Sequence, residues 1–116
     1  MTDLKTYLGF KYLGYWPGPS QLFVGEQQID GTWAFKSLTA NKYIRADKNG
    51  TINYQTYVGP WERWYMERNG RYVFIQSAAF SHFYWITSGA TLKLLNGVSS
   101  SYIVEHIPKI PYGWNY

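Results

Sequence analysis

The chain is predicted to be all-β, and two observations carry that expectation. Turn dipeptides recur at a nearly constant spacing, and the runs between them are short and rich in aromatic and β-branched residues. Asp30-Gly31, Asn49-Gly50, Asn69-Gly70 and Ser88-Gly89 place their glycines 19, 20 and 19 residues apart. Asn-Gly and Asp-Gly supply the positive φ angles of a two-residue hairpin turn, so each marks an expected hairpin. Two intervals make a unit of about 39 residues, and three units make about 117 against a chain of 116. Six hairpins in three pseudo-repeats is the arithmetic of a β-trefoil, here a single domain over residues 1–116 with little or no helix.

Two units can be written over one another, residues 33–70 and 71–107. Trp33-Ala34-Phe35-Lys36-Ser37 answers to Tyr72-Val73-Phe74-Ile75-Gln76-Ser77, and Lys42 to Ala46 answers to Phe83 to Thr87. Beyond the Gly50 and Gly89 turns, Thr51 to Tyr54 answers to Ala90 to Leu94. Trp64 to Glu67 then closes the first of these units, and Tyr102 to Glu105 the second. Residues 1–32 hold two expected strands, Tyr7 to Tyr12 and Gln21 to Glu26. They are separated by Trp16-Pro17-Gly18-Pro19, where neither proline can continue a ladder. That unit is about one strand short. Either residues 108–116 complete it, or Pro108-Lys109-Ile110-Pro111 leads the tail away over the surface.

Composition narrows the classes of function. There is no cysteine, which excludes disulfides and thiolate metal sites. No apolar stretch approaches the roughly 20 residues of a membrane-spanning helix. Met1 to Lys5 lacks the basic start and apolar block of a signal peptide, so the expected location is cytoplasmic, or outside the cell by a route without such a signal. A net charge of +4 is a mild bias toward anionic partners. Lys36, Lys42, Arg45 and Lys48 form the one local basic cluster, and the charge is too dilute for nucleic acid.

Phe35-Lys36-Ser37, Asn41-Lys42-Tyr43-Ile44-Arg45-Ala46-Asp47, Gly50 and Gly59-Pro60-Trp61-Glu62-Arg63-Trp64 together resemble the fascin-like, actin-crosslinking type of β-trefoil repeat. The match is close over residues 33–68. Ser77, Tyr84, Gly89 and Tyr102 keep their places in the next unit, but Gly-Pro-Trp-Glu does not recur. The resemblance implies the trefoil fold and, as one outcome, actin binding. Strict alternation would put Glu62 on the same face as Trp64, so a bulge or a backbone hydrogen bond is expected there.

Chemistry for catalysis is thin. His82 and His106 are the two histidines, and their places in the second unit do not suggest a shared site. No zinc or calcium spacing, phosphate loop or nucleophile elbow is present, so neither metal nor cofactor is expected and the chain is read as non-enzymatic. Asn49-Gly50-Thr51 is formally a glycosylation sequon, but a hairpin turn accounts for it.

Aromatic rings beside small polar residues are the better lead, because a sugar stacks its C–H face on a ring while its hydroxyls need directional partners. The expected small lectin would stack glycans or glycoproteins on rings of Tyr15, Trp16, Trp85 or Trp114, with Gln21, Asp30, Asp47, Asn49 and His82 as polar contacts. Trp85 has core packing as its other reading. Tyr112-Gly113-Trp114-Asn115-Tyr116 would either cover the open end of the barrel or join two copies in a homodimer. The alternative is an oligomer that binds or bundles actin through Lys36, Lys42, Arg45 and Lys48. A third reading is a protein inhibitor acting through the Trp16 to Pro19 loop.

Overall fold

The structure is a computed structural model that describes residues 5–9, 22–69, 72–88, 91–97 and 104–107. Among the described residues there are ten antiparallel strands: β1 (Lys5–Gly9), β2 (Leu22–Gln27), β3 (Trp33–Ser37), β4 (Lys42–Ala46), β5 (Ile52–Gln55), β6 (Trp64–Asn69), β7 (Tyr72–Ser77), β8 (Phe83–Ser88), β9 (Thr91–Asn96) and β10 (Val104–Ile107). The fold is all-β. Among the described residues the sole helical element is one 3-10 turn, Pro60–Glu62, and no helix is long and apolar enough to cross a membrane.

The pairings close on themselves. β1 pairs β2, β2 pairs β3, β3 meets β6 at Trp33 and Trp64, β6 pairs β7, β7 pairs β10, and β10 returns to β1. Two hairpins stand outside this ring. β4–β5 joins it through Lys36 opposite Tyr43 and Ser37 opposite Lys42, while β8–β9 joins through Gln76 opposite Tyr84. The hairpins therefore hang from the C-terminal ends of β3 and β7. Strands 1 and 2 of the ring come from the N-terminal part of the chain, and Gly9 pairs directly with Leu22.

Ser37 and Ser77 end β3 and β7 with the same hydrogen bond. Both are buried, and each hydroxyl oxygen accepts a backbone N–H three residues on, from Ala40 at 3.2 Å and from Phe80 at 2.9 Å. A strand thus ends at a side chain that satisfies the first amide of the next turn.

The Gly31 and Gly50 turns differ from the two-residue form predicted for them. In the first, Gly31 N–H donates to the Gln28 carbonyl at 3.0 Å and Gln28 N–H to the Thr32 carbonyl at 2.7 Å. In the second, Gly50 N–H donates to Asp47 and Asp47 N–H to Thr51, both at 2.9 Å. One positive φ per turn, +87° at each glycine, replaces the two that a type I′ turn needs. The acceptor side chain before each glycine holds the fold-back: Asp30 Oδ1 and Asn49 Oδ1 each take both the N–H and the hydroxyl of the threonine two residues later. Asn69 pairs with Tyr72 and Ser88 with Thr91, and the residues between each pair, with the Gly70 and Gly89 turns predicted there, lie outside the described set.

Alternation fills the interior from both the ring and the hairpins. Phe23, Phe35, Ile44, Trp64, Ile75 and Trp85 are among the residues of one buried cluster. The Trp85 ring lies 5.0 Å from Phe35 and 5.5 Å from both Phe23 and Trp64, all tilted or edge-on, the arrangement aromatic quadrupoles prefer.

Candidate functional site

Arg45 lies on β4, within the β4–β5 hairpin. It alternates with buried Ile44 and Ala46, so its side chain leaves the core face and stays about 30% exposed. Its Nε sits 3.2 Å from Asp47 Oδ1 and 3.9 Å from Glu62 Oε2. Neither contact has hydrogen-bond alignment, so the attraction is that of ion pairs. The guanidinium carbon lies 4.5 Å from the centre of the Trp61 ring, a cation–π distance.

Trp61 and Glu62 reach Arg45 because Pro60–Glu62 turns as a 3-10 helix before β6 begins at Trp64. Trp61 therefore belongs to no strand. Its ring meets Phe80 edge-on at 5.1 Å and remains half-buried. Glu62 is only 5% exposed, yet its Oε1 accepts the Gly59 N–H at 2.7 Å, the backbone bond expected for a carboxylate in that place. A Cβ on residue 59 would lie 3.0 Å from that oxygen, so the carboxylate would have to give by a few tenths of an ångström to admit a side chain there.

Arg45, Pro60, Trp61 and Glu62 line a shallow cleft of about 220 Å³. Behind it, Asp47 Oδ2 accepts from Thr51 Oγ1 at 3.4 Å and from Asn53 Nδ2. The carboxylates and the ring are thus held by their own partners. Such a site presents fixed donors, fixed acceptors and an apolar wall, and it can bind a polar ligand without rearranging.

Asp47 stands behind the cleft and is not part of its lining, held against Arg45 at 3.2 Å. Asn49 is exposed at the tip of the same hairpin with its amide oxygen committed to Thr51. Asp30 lies in the other glycine turn, 3.1 Å from Arg63 Nη1. Hydrogen bonds from the Thr32 hydroxyl and backbone, followed by Arg63, hold its carboxyl below the usual carboxylate range. His82 is exposed and leans on the Phe83 ring at 4.1 Å.

Of the two readings of Trp85, core packing holds and ligand contact is corrected: the residue is 0% exposed within the core and offers no face to a ligand. The described residues supply no hydrogen-bond partner for its Nε1. Tyr15, Trp16, Gln21 and Trp114 lie outside the described residues, as do the Trp16 to Pro19 loop and the tail from 108 to 116.

The basic cluster is also less open than its sequence spacing suggests. Lys42 and Lys48 are exposed, but Lys36 Nζ rests 5.5 Å above the Tyr43 ring and Arg45 is engaged with two carboxylates. Among the described residues no group of three or more His, Asp or Glu side chains is placed to hold a metal ion.

Trp61, Glu62 and Asn53 are the site residues that sequence reasoning missed. Gly59-Pro60-Trp61-Glu62 reads as framework, and only the proline at the head of the segment hints that the strand starts later. Comparison with models of known protein families finds no match, and comparison with curated proteins finds none.

Proposed function

We propose that this chain is a single fascin-like β-trefoil acting as a non-enzymatic, carbohydrate-binding module. For the trefoil, the support is the closed ring of six strands with two hairpins hung from equivalent strand ends, together with the paired serines at positions 37 and 77. In this reading residues 33–70 and 71–107 are two of three units. The ring strands β1 and β2 belong to the third.

For carbohydrate, one observation carries the reading: a half-buried tryptophan, an arginine and a carboxylate converge on one small cleft. Trp61 supplies the apolar wall for a C–H face, and Arg45 and Glu62 supply a donor and an acceptor for hydroxyls. Glycans or glycoproteins are the partners this site fits.

The actin alternative draws on Lys36, Lys42, Arg45 and Lys48, and the engagement of Arg45 and Lys36 within the chain weakens it. A glycan array at two ionic strengths, with actin co-sedimentation as control, separates the two. Retention on glycans that is indifferent to salt, and lost in a folded Trp61→Ala variant, supports the carbohydrate site. Absence of glycan retention, or full retention by that variant, overturns it.

A further inference from the structure

We infer that the cleft beside Arg45 selects uncharged sugars that present adjacent hydroxyls and rejects acidic ones; the inference rests on the carbohydrate reading above. The chain as a whole carries +4, which by itself would favour acidic glycans. The cleft has the opposite balance. One guanidinium has two carboxylates within 4 Å, Glu62 of the lining and Asp47 behind it, so the immediate surroundings of Arg45 carry one negative charge in excess. Arg63, the next residue, is paired with Asp30, and Lys48 is exposed and lines no part of the cleft.

Hydrogen-bond capacity points the same way. Glu62 Oε1 is taken by Gly59 N–H, whereas Oε2 lies 3.9 Å from Arg45 Nε, too far for a hydrogen bond. That oxygen has no hydrogen bond to a described residue and can accept one from a ligand. Arg45 makes no hydrogen bond through its terminal nitrogens to any described residue, so these are donors in need of an acceptor. Two neighbouring sugar hydroxyls meet both needs, one giving its proton to Oε2 and the other accepting from the guanidinium. A carboxylate or sulfate has no proton to give, and it brings like charge against Glu62 and Asp47. A volume of about 220 Å³ suits a single sugar ring against Trp61.

The test titrates the whole chain with matched neutral, uronic and sialylated oligosaccharides at low and high salt. Neutral ligands should bind at least about tenfold more tightly than their acidic counterparts, with the gap narrowing as salt rises. Glu62→Gln, which keeps an acceptor for Gly59 N–H, should narrow the gap by raising affinity for the acidic ligands. Asp47→Asn, in the exposed turn, should do so independently and serves if the first variant fails to fold. Equal or tighter binding of acidic ligands by the wild-type chain overturns the inference and leaves the carbohydrate reading standing. Binding of neither class overturns both.

Discussion

Trp64 Nε1 donates to the Ile44 carbonyl at 3.1 Å, and that bond ties ring strand β6 to the β4–β5 hairpin. Both residues are fully buried, and 20 positions of sequence separate them. A buried carbonyl that loses its partner pays the full desolvation cost, and shortening indole to phenyl leaves a void as well. Trp64→Phe should therefore lower unfolding free energy by about 2–4 kcal/mol. Urea denaturation measures it. A loss under about 0.5 kcal/mol would mean that the hairpin is held by packing alone.

The two glycine turns allow a paired experiment, because they share a backbone and differ in surroundings. Gly31 and Gly50 both have φ of +87°, where any side chain is strained. A Cβ on residue 31 meets nothing within 4 Å, but on residue 50 it would lie 3.3 Å from two carbons of the Phe83 ring. Gly31→Ala should cost about 1 kcal/mol, the strain alone. Gly50→Ala should cost measurably more, since Phe83 is buried and must shift. Equal denaturation midpoints for the two variants would contradict the closeness of the β4–β5 tip to β8.

Those glycines also show what the sequence made legible. Positive φ is a local demand, so Asp30-Gly31 and Asn49-Gly50 announce their hairpins, although the threonine that follows each was needed to foresee the longer turn. Asn96-Gly97, outside the regular spacing, has the same chemistry and a φ of +101°, but it ends β9, where Gly97 N–H donates to the His82 carbonyl. The ring's closure was not readable residue by residue. It passes through one register pair, Trp33 with Trp64, that no local pattern specifies. Asp47 lies two residues from Arg45, and alternation puts them on one side. Trp61 and Glu62 arrive through a 3-10 turn, which breaks the alternation on which strand reading depends.

Ser37 and Ser77 offer a test of the repeat itself. Each hydroxyl satisfies a backbone amide in a part-buried setting, and alanine would leave that amide without a partner. Ser37→Ala and Ser77→Ala should each cost about 1–2 kcal/mol. The bonds join different strand ends with no shared partner, so the double variant should lose the sum within about 0.5 kcal/mol. Thermal or urea unfolding of the three variants reads this directly. A cost at one position only would show that the serines do unlike work.

Tyr43 predicts how stability falls in alkali. Its hydroxyl donates to Glu26 Oε1 at 2.7 Å, and burial first, then that hydrogen bond and the nearby negative charge, push its pKa from 10.0 up to about 12. The unfolded chain loses this proton near pH 10 while the folded chain keeps it, so between these values the folded state binds more protons. The contribution is therefore complete below pH 10 and is lost as pH rises toward about 12. Burial also raises Tyr54, which adds to the same decline. Tyr43→Phe removes one of the two groups, so its urea midpoint should fall less between pH 8 and pH 11 than that of the wild-type chain, from a lower starting value at pH 8. Parallel declines in the two proteins would mean that the Tyr43 proton is not what the folded state retains.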